Sequence, residues 1–393
     1  MTDVMILSAV RSAIGTFGGS LADIPPCELA ATVSAEAIAR SGLGAGQIGQ
    51  TVMGNVIHTE PRDMYLSRVA AIGAGVPETS PALTLNRLCG SGLQAVVTAS
   101  EAIRLGNCRA ALAGGAESMS RSGHLIGAAR FGQKMGDVAA IDMMTGALTD
   151  PFGNGHMGIT AENIAAVQGI SRETQDALAL ESHRRAAQAQ AEGRFGGQIL
   201  PVEVRRGRET HAFAVDEMVR TNVGTLDLAK LRPAFKPDGS VTAGNASGLN
   251  DGAAALVLAD ADLAAEQGLQ PLARIVATGL GGVAPSLMGL GPIPATRQAL
   301  ERAGLNVGDL DVIESNEAFA AQACAVAREL GFDPDKVNPN GGAIAMGHPI
   351  GASGAIILTK LIHELRRING RYGLATMCIG GGQGIALVIE VLN

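Results

Sequence analysis

Short, unbroken apolar runs alternate with amphipathic stretches along most of this chain. Residues 82–85, 110–113, 310–313, 374–379 and 385–391 read as strands. They lack the polar–apolar alternation of a half-exposed sheet, so the sheets they form are largely buried. Residues 93–105 and 318–330 read as helices that follow such strands. This pattern predicts an α/β fold. A length of 393 residues provides core for two or three domains.

Residues 119–249 break the pattern. They hold polar turns, short irregular strands and a long helix predicted over 172–192, with Ser171 as its N-cap and Gly193 as its stop. This region reads as an insertion or lid on a regular core. The core itself carries an internal echo. Cys89-Gly90-Ser91-Gly92 is followed by a helix, a strand and Gly114-Gly115. His348-Pro349-Ile350-Gly351-Ala352-Ser353-Gly354 is followed by a helix, a strand and Gly380-Gly381-Gly382. A duplicated βαβ-type core accounts for the echo.

Both echoed units carry a reactive side chain. Cys89 lies between a strand and a helix start, where outward N–H groups and the helix dipole favour a thiolate. A free cysteine is most often an inert core residue. Here Gly90, Ser91 and Gly92 leave room for a substrate to approach. His348 sits in a glycine-rich loop stiffened by Pro349 and suits the role of base toward a thiol. The other histidines lack such surroundings, apart from His156 in Gly153-Asn154-Gly155-His156-Met157-Gly158. Cys378 ends a strand and opens into Ile379-Gly380-Gly381-Gly382. Free backbone N–H groups there could bind an oxyanion, and a buried core thiol is the competing reading. Asn316 lies at another strand-to-helix junction, as a plain N-cap or as a side chain that holds a water. Glu317 reads as a first-turn acid. Cys27, Cys108 and Cys324 are assigned to core or surface.

A nucleophilic thiol, a base, a second thiol and oxyanion donors together fit acyl transfer through a covalent thioester. Composition removes other classes. A net charge of −7, no Trp and two Tyr argue against a nucleic-acid binder. No Cys/His cluster has metal spacing. Five cysteines, an odd count, fit free thiols in a reducing compartment. No apolar run reaches a membrane span. Neither a signal peptide nor a peroxisomal address is seen at the ends, so a cytoplasmic location is expected.

The chain resembles the thiolase family, and within it the bacterial biosynthetic thiolases (acetyl-CoA acetyltransferases). The resemblance runs through Val10-Arg11-Ser12-Ala13-Ile14-Gly15, residues 86–92, Gly114-Gly115-Ala116-Glu117-Ser118-Met119, Gly244-Asn245-Ala246-Ser247-Gly248, Asn316-Glu317-Ala318-Phe319, Gly347-His348-Pro349 and residues 378–384. It implies a five-layered αβαβα core of two duplicated halves with an inserted loop domain. Residues 1–118 plus 250–270 would form the N-terminal half, 119–249 the loop domain that binds CoA, and 271–393 the C-terminal half.

The resemblance also implies roles. Cys89 becomes acylated, His348 activates it, and Cys378 removes the α-proton of a second acetyl-CoA. One oxyanion hole uses His348 and a water held by Asn316; a second uses the N–H groups of Cys89 and Gly380. Arg220, Leu231, Phe235, Ala243 and Ser247 match CoA contacts. Leu148, His156, Met157, Met288, Ala318 and Phe319 match the acyl pocket, although Met157, Met288 and Phe319 also read as core. Arg184, Arg185, Arg194, Arg205, Arg206 and Arg208 read as a solvated basic face rather than a phosphate site. The expected reaction joins two acetyl-CoA into acetoacetyl-CoA and CoA, reversibly and by ping-pong kinetics. CoA thioesters are the substrates, and neither cofactor nor metal is expected. A homotetramer, a dimer of dimers, is expected.

Ser315 replaces a usual alanine and Gln383 a frequent Met or Asn. The stretch from Asn55 to Tyr65 resembles β-ketothiolases that take longer acyl chains. A broader 3-ketoacyl-CoA thiolase is therefore the near alternative. A non-catalytic acyl-CoA or lipid carrier on the same fold is the alternative of another class. A condensing enzyme that uses acyl carrier protein would pair its cysteine with two histidines, whereas here Cys378 takes the third position.

Overall fold

The computed structural model describes residues 2–222 and 224–392. Nine strands form the continuous path of its main sheet: β1 (Val4–Ser12), β2 (Gln50–Gly54), β3 (Ala82–Leu85), β4 (Ala110–Ser118), β5 (Asn250–Asp260), β6 (Ala273–Gly282), β7 (Val312–Ser315), β8 (Tyr372–Ile379) and β9 (Gln383–Glu390). Their order is β7-β8-β9-β6-β1-β5-β4-β2-β3. Two short strands, Gly15–Thr16 and Ile199–Leu200, attach to β5 and β1.

The two halves repeat one topology. In the first, β2 runs parallel to β4, β4 antiparallel to β5, and β5 antiparallel to β1. In the second, β7 runs parallel to β8, β8 antiparallel to β9, and β9 antiparallel to β6. Even the irregularities match. The register slips between Ile6 and Ser8 in β1 and between Ile275 and Ala277 in β6. The halves join where β1 and β6 pair at Val4–Ile275, Met5–Arg274 and Ile6–Ala273.

The longer helices are α1 (Pro26–Ser41), α2 (Ser91–Arg104), α3 (Met157–Gln168), α4 (Arg172–Ala191), α5 (Pro292–Ala303), α6 (Ala320–Leu330) and α7 (Ile350–Ile368). Helix α1 covers β1 and β5 on one outer side, and α5 covers β6 and β9 on the other. Helices α2 and α7 pack on each other in the middle and touch strands of both halves. The result is five layers, αβαβα. Every residue of α7 from Ile350 to Leu365 except His363 is buried, including Lys360 and Glu364, which are held by Glu314 and Asn340. Strands β4 and β5 are buried along their whole length, in keeping with cover on both faces.

The crossing of α2 and α7 depends on small residues. A Cβ on Gly92 would lie 2.8 Å from Ala355 N, and one on Gly354 would lie 2.3 Å from Leu93 N. Only glycine lets two helix backbones approach so closely. The serine–glycine echo in the sequence is thus the crossing point of the central layer. It draws together the helix starts beside Cys89 and His348.

Several element bounds differ from the sequence-based expectation. Strand β4 continues through Gly114 and Gly115 to Ser118, because β2 and β5 pair with it there. Strand β7 starts at Val312, since Leu310 N closes a turn on Val307 O. Helix α6 starts at Ala320. Phe319 is extended and bridges to Ala246, with Ser247 N donating to Ala318 O at 3.0 Å and Ala320 N to Asn245 O at 2.8 Å. The insertion contains α3, α4 and short hairpins. The Ser171 Oγ caps α4 by accepting from Thr174 N, and Gly193 beyond its end has φ 68°.

Candidate active site

β3 delivers the chain to a tight turn at residues 86–90, and α2 leaves it. The turn is tied by its own side chains. Leu88 N donates to Asn86 Oδ1 at 2.8 Å, Arg87 N to Ser91 Oγ at 2.8 Å, and Ser91 Oγ to Leu88 O at 2.6 Å. Leu88 is held at φ 46°, a left-handed conformation that costs a branched residue strain. Cys89 follows it, half-buried. The backbone N–H groups of Gly380 and of Cys89 itself reach its sulfur and favour the thiolate. Burial outweighs them and pushes the thiol up to about 11. The sequence pointed to a dipole-stabilised thiolate; desolvation instead leaves the resting group a thiol.

His348 stands just before α7. Its backbone N donates to Asn250 Oδ1 at 2.9 Å, and Asn250 Nδ2 donates to Gly15 O at 3.0 Å. The imidazole is buried, which lowers it to about 4 and keeps it neutral near pH 7. Nδ1 lies 2.6 Å from Ser353 Oγ. That hydroxyl also reaches Pro349 O at 2.9 Å as a donor; with its proton there, Nδ1 is the protonated nitrogen and donates to the serine. Nε2 is then the unprotonated nitrogen, the one that can take a proton, and it accepts from Asn316 Nδ2 at 3.5 Å. A neutral thiol and a neutral imidazole form the resting pair.

Cys378 ends β8 fully buried. Burial first, and then the charge of a Cys89 thiolate, pushes it far up. It shares one cavity of about 410 Å³ with Cys89, His348 and Gly380. Leu148, His156, Met157, Phe235, Ala243, Ser247, Met288, Ala318 and Phe319 also line this cavity. His156 caps α3 with Nδ1, stacks on Phe235 with ring centroids 4.8 Å apart, and is lowered by burial. Phe319 meets Phe235 edge-on at 6.1 Å. One strand end, one helix start and one loop from different parts of the chain thus present two thiols, a base and aimed N–H donors to one space.

The sequence matches the thiolase N-terminal domain over residues 4–262 and the thiolase C-terminal domain over residues 269–391. The chain belongs to the thiolase family. It is 60% identical to the beta-ketothiolase BktB of Cupriavidus necator over 390 residues, 99% of each chain. It is 51% identical to the acetyl-CoA acetyltransferase of Chromobacterium violaceum, again over 99% of each. Among solved structures, the Bacillus anthracis acetyl-CoA acetyltransferase superposes with a TM-score of 0.98 at 45% identity, covering 100% of this chain and 99% of that one. Human mitochondrial 3-ketoacyl-CoA thiolase in complex with CoA superposes at 0.97 with 42% identity, covering 100% and 98%.

Asn316, Arg220, Leu231 and Glu317, singled out in the sequence of this thiolase, stand apart from the cavity wall. Asn316 does not line the cavity itself but places Nδ2 3.5 Å from His348 Nε2. It does not cap a helix: its N donates to Thr376 O at 3.0 Å and extends the β7–β8 pairing. Arg220 is exposed, and its backbone N donates to His183 Nδ1 at 3.2 Å. Leu231 packs beside Leu228, Ala179 and Ile344. Glu317 is not a first-turn acid either. It is buried and accepts from Ser182 Oγ, Asn338 Nδ2 and Ile344 N.

The basic face of this thiolase largely resolves into pairs. Arg184 and Arg185 bond Glu181, and Arg194 bonds Glu192 and Asn340. Arg205 and Arg208 are exposed, while the Arg206 side chain lies outside the described residues. Cavity residues that the sequence did not reveal include Leu88, Met119, Met144, Leu249 and Ile350. Leu88 neighbours the thiol, and Met119 follows a strand end; the others have no local signal. Among the described residues no group of three or more His, Cys, Asp or Glu side chains is placed to hold a metal. No helix among them is long and apolar enough to cross a membrane.

Proposed function

We propose that this thiolase, an acyltransferase, condenses two acetyl-CoA into acetoacetyl-CoA and CoA through an acetyl-cysteine at position 89. His348 Nε2 takes the Cys89 proton as sulfur attacks the thioester carbonyl. The N–H groups of Cys89 and Gly380 face the oxyanion that forms. The carbon–sulfur bond to CoA breaks, and the CoA thiolate takes the proton of Cys378. The Cys378 thiolate and the His348 imidazolium remain, one balancing the other. Cys378 then removes an α-proton from the second acetyl-CoA. Imidazolium Nε2–H and a water on Asn316 face the enolate oxygen. The enolate carbon attacks the acetyl group, the bond to Cys89 breaks, and His348 returns the proton to Cys89.

The observation that carries this reading is the convergence of two thiols and a neutral imidazole on one cavity. Peptide mapping after incubation with labelled acetyl-CoA tests it. Acetyl on the Cys89 peptide is the expected result; label elsewhere, or none, overturns it. The presence of the whole reactive set argues against a non-catalytic carrier. Arg220, Leu231, Phe235, Ala243 and Ser247 are proposed CoA contacts. We assign residues 1–118 plus 250–270, 119–249 and 271–393 as the N-terminal half, loop domain and C-terminal half.

Similarity to a beta-ketothiolase favours a second reading, a broader 3-ketoacyl-CoA range. Rates of thiolysis on acetoacetyl-CoA and 3-ketohexanoyl-CoA separate the two. We further propose a cytoplasmic homotetramer that needs no cofactor beyond its CoA substrates. Leu125, Phe131, Met135, Val138 and Ile141 lie exposed on one arm of the insertion and supply apolar surface for assembly. Sedimentation of the native protein tests it; a monomer would refute the assembly.

A further inference from the structure

Glu117 lies near the end of β4, fully buried, and no step above uses it. Among the described residues it pairs with no Lys or Arg. Its two oxygens instead collect N–H groups from two directions. Oε1 accepts from Ile57 N at 3.1 Å and from Asn55 Nδ2 at 3.2 Å. Oε2 accepts from Val56 N at 3.1 Å and from Gly351 N at 2.8 Å. The first, second and third of these donors belong to the loop after β2. The fourth belongs to the first turn of α7, three residues beyond His348.

The loop that Glu117 holds also reaches the thiol. Val56 and Ile57 pack in one apolar cluster with Met119, Ile350 and Cys89. The carboxylate therefore clamps one backbone that packs on Cys89 to another that carries His348. The clamp leaves no slack: a Cβ on Gly351 would sit 2.5 Å from Oε2.

We propose that Glu117 is a positioning residue that sets the placement of the Cys89 thiol relative to the His348 imidazole. This rests on Cys89 being the acylated group. The carboxylate has an electrostatic consequence as well. Among the described residues, four charged or titratable groups bear on Cys89 from the elements around it: Glu117 on β4, His156 at the start of α3, His348 before α7 and Cys378 on β8. His156, His348 and Cys378 are neutral at rest, so Glu117 is the source of negative charge, and it adds to the burial that raises the thiol. Burial, with Asp63 nearby, pushes Glu117 itself up to about 8, against the N–H groups that favour its charged form. It is charged in the alkaline range where Cys89 ionises.

The test compares Glu117→Gln and Glu117→Asp with the wild type by two measurements: the pH profile of Cys89 alkylation by iodoacetamide, and kcat for condensation. In the amide variant the alkylation profile moves to lower pH by about half a unit or more, the size expected for loss of a nearby like charge. Its kcat falls at least about tenfold, as expected when reacting groups are misplaced. The aspartate variant keeps the charge but not the reach, so its profile stays in place while kcat falls. A role in folding alone would lower kcat without moving the profile. Wild-type kcat in the amide variant, or a profile that stays or moves to higher pH, overturns the proposal. If the amide variant does not fold, wild-type kcat in the aspartate variant overturns it. Acetyl mapping on the wild type separates the failures: no acetyl-Cys89 removes the nucleophile assignment itself, whereas acetyl-Cys89 with an unmoved profile removes only Glu117.

Discussion

His348 Nδ1 and Ser353 Oγ lie 2.6 Å apart, the shorter of the two side-chain contacts of the imidazole. The serine sits in the first turn of α7, and its proton goes to Pro349 O. One helical turn thereby fixes both the ring orientation and the tautomer. Ser353→Ala leaves a buried N–H without an acceptor, at a cost of about 1–3 kcal/mol. The ring can then turn or change tautomer, and Nε2 no longer faces the thiol as a free base. The expected outcome is a fall in kcat of roughly ten- to a hundredfold, with KM for acetyl-CoA little changed. Steady-state kinetics on purified, folded protein checks it; an unchanged kcat would show that the ring is held by other contacts.

Cys89 is raised to about 11 and His348 lowered to about 4, each chiefly by burial. Proton transfer from thiol to imidazole is therefore uphill in the empty site and is driven by attack on the thioester. A thiol titrating this high becomes about tenfold more reactive per pH unit below its midpoint. Alkylation of the substrate-free enzyme by iodoacetamide should keep climbing from pH 7 to pH 10. A plateau near neutral pH would reveal a standing thiolate–imidazolium pair and sink this account of the resting state.

The reactive groups were legible because sulfur and imidazole in glycine-rich loops have few structural reasons to be there. The class of fold was legible from strands with no polar alternation. What holds the groups in place was not. Ser353 reaches His348 only because a helix starts between them, and Glu117 meets Gly351 across 234 positions of chain. Asn316 and Glu317 looked like a cap and a first-turn acid, but pairing of residues 318–320 with 245–247 delays the helix to Ala320. The left-handed backbone at Leu88 has no signature either, since a turn with that φ ordinarily favours glycine or asparagine.

Helices α2 and α7 touch backbone to backbone at Gly92 and Gly354. Gly354→Ala places a methyl group 2.3 Å from Leu93 N and 3.0 Å from Leu93 Cα. Backbone in the central layer cannot swing aside as a long side chain can. The helices must separate, at a cost of about 1–3 kcal/mol, which lowers Tm by a few degrees. The separation opens the gap between Cys89 and His348, so acetylation of Cys89 should slow by more than the loss of folded protein explains. Melting curves and single-turnover acetylation on one preparation distinguish this from simple unfolding. Equal stability and equal acetylation rate would mean that the crossing tolerates a methyl.

Met157, proposed as acyl-pocket lining, closes the cavity beside Gly380. A Cβ on Gly380 would meet Leu88 Cδ1 at 3.0 Å and Met157 Cε at 3.3 Å. Met157 also packs with Met288, Phe319 and Cys378 in one buried cluster. If the acyl chain runs this way, the Met157 thioether limits how far the chain can extend past the thiol. Met157→Ala removes that stop while leaving both thiols and the imidazole in place. A cavity gain of this kind is worth about 1–3 kcal/mol for each methylene newly accommodated. The ratio of kcat/KM for 3-ketohexanoyl-CoA to that for acetoacetyl-CoA should therefore rise about tenfold or more. The rise should come mainly from the longer substrate, since the shorter one does not reach the space vacated. Thiolysis rates on the two substrates measure it. A ratio that stays at the wild-type value would mean that the chain leaves the thiol in another direction, along Met288 and Phe319 instead of Met157.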